Sequence, residues 1–192
     1  MVIGLAGKAG VGKDHIAQQF LASKGYYKIS MAWPLKVALI ARQLATPEEV
    51  FVTKPEHVRK LLQEEGTERG RDIYGENYWC LWIQNWLRLM QTEWHIDNFV
   101  IPDVRFLNEV DLVRRLGGKV YLVMAPERQT LRGKAAKHRS EIALDHYTGF
   151  DGVIYNDPRY AKTLQRQVDK LLGVPNAKLE SVLDRYDFLA ER

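Results

Sequence analysis

The sequence predicts an α/β domain in three layers, with a central, mostly parallel five-stranded sheet covered by helices on both faces. Three observations predict it. Short apolar runs alternate with helically periodic stretches along most of the 192 residues, the pattern of strand–helix–strand crossovers. The first run passes into a helix through a glycine-rich turn. No repeat, low-complexity stretch or linker divides the chain, so residues 1–192 are expected to form a single domain.

Val2–Ala6 is apolar and ends at Gly7, as suits a strand buried on both faces. A helix is expected over 13–22 and a second strand over 26–30. Pro34 suits the first turn of a helix, where its missing N–H costs nothing, and Val37, Ile40 and Leu44 continue it. Pro55 opens another helix, with Val58, Leu61 and Leu62 on one face. Trp79, Trp82, Ile83, Trp86, Leu87 and Met90 fall at i, i+3, i+4, i+7, i+8 and i+11, one helix stripe over 78–90. That spacing assigns Trp82 and Trp86 to the core and leaves Trp79, at the helix start, to face a pocket. Residues 98–103 read as a third strand ending in a carboxylate, with Pro102 tolerable at a strand end. A helix over 108–116 stops at Gly117-Gly118, and Lys119–Met124 is a fourth strand. Residues 126–141 are polar and basic, with Arg128, Arg132, Lys134, Lys137, His138 and Arg139. Gly152–Tyr155 is the fifth strand. Tyr160, Leu164, Val168 and Leu171 mark a helix that Gly173-Val174-Pro175 breaks, and Leu179, Val182, Leu183 and Tyr186 imply a last one.

Composition narrows the function classes. With 46% apolar and 27% charged residues the chain is globular rather than disordered. No apolar run approaches the ~18–20 residues of a membrane span. The N-terminal run has no basic region before it, so a cytoplasmic protein is expected. Cys80 is the single cysteine, which excludes a disulfide framework and a multi-cysteine zinc site; it is expected as a small buried hydrophobe. Lys plus Arg number 28 against 24 acids, net +4, with a pI near 9.1. This balance suits an anionic ligand, either nucleic acid or a phosphorylated small molecule. The basic residues are scattered, and neither a Ser-His-Asp nor a His-Glu-x-x-His arrangement occurs.

Gly7-Lys8-Ala9-Gly10-Val11-Gly12-Lys13 lies between the first strand and first helix and matches Gly-x-x-x-x-Gly-Lys, the P-loop spacing. Glycines let successive backbone N–H groups turn inward around phosphate oxygens, where a Cβ would block the approach. The helix that follows offers the positive end of its dipole. Lys13 is placed to bridge the β and γ phosphates. A dinucleotide fingerprint fails for want of a third glycine at the right spacing. The usual Ser or Thr after the lysine is Asp14, and His15 follows. Asp14 either holds Mg²⁺, which prefers oxygen ligands, or caps the helix; His15 is expected on a partly exposed helix face. The nucleotide-binding set is thus Gly7 to His15 on a P-loop NTPase fold.

Asp103 ends the third strand, where P-loop proteins place a carboxylate that orients the magnesium shell. Arg105, two residues on, either clamps a phosphate bidentately or forms a salt bridge to Asp103 or Glu109. Arg128, Arg132 and Arg139 follow the fourth strand, the position of a lid in small kinases. There arginines stabilise the migrating charge and exclude water, while a solvated basic loop is the plainer alternative. No general base stands out, as befits a phosphate acceptor. A nucleoside monophosphate is largely dianionic near neutral pH, since its second proton leaves near pH ~6.

Five blocks together resemble the deoxynucleoside monophosphate kinases of bacteriophages, a branch of the P-loop nucleotide kinases. They are Gly7 to Asp14; Met31-Ala32-Trp33-Pro34-Leu35-Lys36; Leu61-Leu62-Gln63 through Gly66-Thr67-Glu68-Arg69-Gly70-Arg71 to Tyr78-Trp79; Asp103-Val104-Arg105-Phe106-Leu107-Asn108-Glu109; and His138-Arg139-Ser140-Glu141 with Leu144-Asp145, followed by Val153-Ile154-Tyr155-Asn156-Asp157. They keep family order and span roughly residues 2–172. Where the family often has Ser or Thr after Asp14, this chain has His15.

The resemblance implies ATP·Mg²⁺-dependent conversion of a deoxynucleoside monophosphate to its diphosphate. It implies that a helical region of about 31–95 binds the acceptor, with Lys36, Arg71, Trp79 and Arg105 facing it, and that 126–141 form the lid. Arg69, Glu109, Arg139 and Glu141 complete the implied substrate-binding set. Lys13, Arg105, Arg128 and Arg132 act on the transferring group, and Asp14 and Asp103 on the metal. Trp79 suits stacking, since an aromatic face accepts any nucleobase. Stable nucleic-acid binding is not expected, and a homodimer is left open. The alternatives are a P-loop kinase for another small acceptor, of the dephospho-coenzyme A or phosphomevalonate type, and a nucleic-acid-binding P-loop NTPase.

Overall fold

A computed structural model of the protein describes residues 1–125, 138–156 and 163–173, apart from the side chains of 67–69. Five strands form one sheet: β1 (Val2–Ala6), β2 (Tyr27–Lys28), β3 (Phe99–Val104), β4 (Lys119–Met124) and β5 (Gly152–Tyr155). Their order is β2-β3-β1-β4-β5, and each neighbouring pair is parallel. Alternation along β1 sends Val2 and Ala6 to one face and Ile3 and Leu5 to the other. On the first face lie α5 (Tyr78–Trp94) and α6 (Leu107–Arg115), through Ile83, Leu87, Val110 and Val113. On the second lie α1 (Lys13–Ile16), which continues as the wider-wound Ala17–Leu21, and α8 (Leu164–Leu171). With both faces covered, every β1 residue is buried, which is why the strand is apolar throughout.

Pro102 lies within β3 rather than at its end. Gly4 pairs with Ile101 and Ala6 with Val104, so β3 carries one extra residue against β1. This bulge accommodates a residue that cannot donate to the ladder. β2 pairs only as far as Val100, so its ladder does not reach Pro102.

Helices α2 (Trp33–Ala41) and α3 (Glu56–Gln63) enclose a smaller core of Leu39, Ala45, Val50 and Val58. A helical turn at Glu49–Thr53 joins them, and α3 runs on through Glu64–Arg71 into α4 (Asp72–Tyr74). The helix expected to continue from Pro34 through Val37, Ile40 and Leu44 does include Val37 and Ile40 but stops at Ala41, short of Leu44. Val37 and Leu44 are exposed, and Pro34, Leu35 and Leu39 are the buried residues of α2. The segment is apolar all round, so periodicity could not select its buried face.

The stripe on α5 holds at Ile83, Leu87 and Met90, which are buried, and is corrected at Trp82, which is 49% exposed. Small Cys80, with Sγ 3.6 Å from the Asn108 carbonyl, takes the place against α6. Trp86 does pack on the core, stacked on Trp33 at 5.0 Å. Tyr160 and the last expected helix lie outside the described residues, among which no helix is long and apolar enough to cross a membrane.

The chain leaves β1 through α1 for β2, and leaves β3 through α6 for β4, on opposite faces of the sheet. Because β1 and β3 are neighbours, a crevice opens between their C-terminal ends, where open α/β sheets bind ligands. The loop at 7–13 and the segment 103–105 therefore meet there.

Candidate active site

Gly7, Gly10 and Gly12 have φ of 134°, 83° and 86°. A Cβ on Gly7 would stand 2.4 Å from the Val123 carbonyl oxygen, and one on Gly12 2.2 Å from Asn156 Nδ2, so the loop has room only for glycine. Asn156, buried beyond β5, donates to the Val11 carbonyl at 2.9 Å and props the loop. Its role has no local spacing signal, because the two residues lie 145 positions apart. Lys13 Nζ donates to the carbonyls of Gly7 (2.7 Å) and Lys8 (2.8 Å). Burial, and then the nearby Arg105, bring its pKa down to about 8 against the pull of Glu141, Asp103 and Asp14.

Asp14 pairs with Lys28 at 2.5 Å and stands in the first turn of α1, whose N-cap is Gly12. Although partial burial raises the Asp14 pKa, the Lys28 hydrogen bond and charge outweigh it and hold the carboxyl below its ordinary value. His15 is exposed and packs edge-on against Phe20. Asp103 accepts the N–H of Met31 (2.7 Å) and Ala32 (3.3 Å) and the Ser30 hydroxyl, anchoring the start of α2 to the end of β3. Among the described residues no three His, Cys, Asp or Glu side chains gather as a metal site.

A cavity of about 820 Å³ opens beside the loop. Ala9, Asp103 and Arg105 line it, as do Arg71, Trp79 and Phe106. Arg71 is buried against Glu109, donates to the Glu76 carbonyl at 3.0 Å and lies over the Phe106 ring at 4.0 Å. Glu109 accepts the backbone N–H of Arg105 (2.7 Å) and Phe106 (3.2 Å) with its other oxygen, closing the first turn of α6. Burial pushes its pKa up to about 7, ahead of the opposing Arg71 charge. The Trp79 indole donates to the Gly66 carbonyl at 2.8 Å. A Cβ on Gly70 would stand 2.5 Å from Trp79 Nε1, so the ring's seat requires glycine.

Arg105 takes neither salt-bridge partner expected of it. Its guanidinium pairs with Glu141 of α7 (Arg139–Ile142), a residue 36 positions away. The other Glu141 oxygen accepts the Ala9 N–H at 3.0 Å. Lys8 donates to the Glu141 carbonyl at 2.6 Å and pairs with Asp145. One carboxylate thus joins the loop, the end of β3 and α7. Lys36 is not among the cavity-lining residues; it lies over the Phe51 ring at 5.1 Å. Burial, then Lys54, lower its pKa, while Asp103 and Asp14 oppose the shift. Arg139 is exposed and pairs with Glu76 and Asp72. Arg128, Arg132 and the Arg69 side chain lie outside the described residues, as does the expected lid up to residue 137.

The family model "Deoxynucleotide monophosphate kinase" matches residues 42–167. A protein of Acanthamoeba polyphaga mimivirus named "Putative deoxynucleotide monophosphate kinase" is 30% identical over 199 residues, covering 92% of this chain and 97% of that one. Among solved structures, TT1252 from Thermus thermophilus superposes with a TM-score of 0.55 at 20% identity, covering 90% of this chain and 96% of that one. At that identity the likeness is one of fold.

Proposed function

The chain belongs to the deoxynucleotide monophosphate kinase family, and from that premise we propose that it transfers the γ-phosphoryl group of ATP to a deoxynucleoside monophosphate, yielding ADP and the diphosphate. The observation that carries this reading is a cavity shared by the phosphate loop, through Ala9, and by Arg71, Trp79 and Arg105. Loop N–H groups and Lys13 hold the donor phosphates, and the lysine charge offsets charge on the migrating group. The acceptor phosphate is already an anion, so it needs holding in line rather than deprotonation. Arg105 exchanges Glu141 for that phosphate as a bidentate partner. Arg71, pinned by Glu109, supports it from below, and the Trp79 face takes the base. Lys36 adds to the positive field without touching the cavity. Arg128 and Arg132 are assigned to closure over the transferring group.

Asp14 and Asp103 suit Mg²⁺. Both are oxygen donors coupled electrostatically to Lys13, and Asp103 has used three of its roughly four acceptor positions. With Asp14 and Asp103 as its carboxylate ligands, phosphate oxygens and water would complete the shell, as this ion prefers. When bound, the ion supplies charge neutralisation and orientation of the donor phosphates.

The test is a coupled ADP-release assay with ATP·Mg²⁺ and each common deoxy- and ribonucleoside monophosphate, the diphosphate product being identified by chromatography. Turnover with at least one deoxynucleotide is expected; if no monophosphate stimulates ADP release, the reading fails. Arg105→Ala is expected to lower kcat/KM for the acceptor by about 100-fold. A change confined to the melting temperature would make Arg105 structural.

A further inference from the structure

Five residues of α3 line the cavity, and four of them are polar and at helical spacing: Glu56, Arg59, Lys60 and Gln63, at i, i+3, i+4 and i+7. The first three are exposed at its mouth; Arg59 donates to the Lys54 carbonyl and Lys60 faces Glu64. Gln63, at the end of the helix, is half-buried, and among the described residues its carboxamide has no hydrogen-bond partner. Other described polar groups that line the cavity are committed. Arg71 holds Glu109, Arg105 holds Glu141, Asp103 holds the start of α2, and the Trp79 N–H holds Gly66.

Gln63 also stands in base-sized surroundings. Gly66, one turn further along the same helical path, supplies the carbonyl that fixes the Trp79 indole, and a Cβ there would lie 3.0 Å from Leu35 Cδ2. Trp79, Leu35, Leu62 and Gly66 make an apolar wall in which, among the described residues, Gln63 is the one uncommitted amide, while Ala9, Asp103 and Arg105 line the part of the cavity next to the phosphate loop. A flat aromatic face beside a single two-way hydrogen-bonding group is the chemistry that recognises a nucleobase edge.

Resting on the kinase reading above, we propose that the Gln63 carboxamide reads the base of the acceptor nucleotide. A carboxamide donates and accepts, and rotation by a half-turn exchanges the two. It therefore pairs with the adjacent donor and acceptor of adenine, cytosine, guanine or thymine, and the acceptor site tolerates several bases.

The test compares wild type, Gln63→Leu and Gln63→Glu with the four deoxynucleoside monophosphates, each variant first checked for an unchanged circular-dichroism spectrum. Gln63→Leu is expected to raise KM for the monophosphates about tenfold, with KM for ATP unchanged. Gln63→Glu presents only acceptors and so suits guanine, whose N1–H and N2–H are adjacent donors. It repels adenine at N1, and the guanine-to-adenine ratio of kcat/KM is expected to rise about tenfold or more. The inference is overturned if both variants stay within about twofold of wild type for every base, or if Gln63→Leu weakens ATP as much as the acceptor. Wild-type failure with every monophosphate would instead overturn the kinase reading on which it rests.

Discussion

Lys13 holds its charge under two loop carbonyls, and loss of water brings its pKa from 10.5 to about 8. The ammonium is fully charged below about pH 7 and loses its proton as pH rises through about 8. Since kcat/KM reports the free enzyme, its value for ATP is expected to fall about tenfold per pH unit above that point. A flat profile to pH 10 would show that the charge is not needed. Stability has the opposite sign. Between about 8 and 10.5 the unfolded chain binds the proton more tightly than the folded one, so this group's contribution rises with pH and is unfavourable at neutral pH. Lys13→Met is therefore expected to abolish transfer, by about 1000-fold or more. It should also stabilise the fold by on the order of 1–3 kcal/mol, read from denaturant unfolding at pH 7.

Helix α6 depends on Glu109, which accepts two N–H groups of its entry and faces Arg71. Glu109→Ala uncaps the helix and leaves a buried guanidinium unpaired, at an expected cost of about 3–5 kcal/mol in chemical denaturation. Glu109→Gln keeps an oxygen for the cap. Because burial already favours the neutral acid, this variant is expected to retain most of the stability; equal losses in the two would discard that account. The same helix marks how far elements were legible in the sequence. Strands β1 and β4 stand out because burial on both faces leaves no polar position in β1 and few in β4. The phosphate loop is legible because backbone geometry forces glycine at Gly7 and Gly12. The buried face of α2 was not, since the helix carries apolar residues on more than one side and packing alone selects among them; on α5 the same ambiguity hid only the exposure of Trp82. Nor was the Arg105–Glu141 pair, whose partners meet only after β3 and α7 have been brought to one crevice. Gln63 falls within one of the resembling blocks, but its unpartnered amide on the cavity wall exists only in the folded chain.

At the scale of the whole molecule, the site is assembled from segments near residues 7–14, 63–79, 103–109 and 138–141, so ligand binding reports on the entire fold. ATP at 100 times its Kd is expected to stabilise the protein by about 2.7 kcal/mol, and the gain should vanish in Lys13→Met. An undiminished gain in the variant would place the nucleotide elsewhere. The central position of β1 has a consequence during synthesis. Its two neighbours in the sheet begin at Phe99 and Lys119. At ~5–20 residues per second, the strand and the loop it carries wait on the order of 5–20 s before either partner is made. In that interval β1 is an unpaired apolar segment, a substrate for chaperones rather than for nucleotide. A nascent chain stalled before Phe99 is expected to show no protected β1 amides in hydrogen exchange and no retention on immobilised ATP.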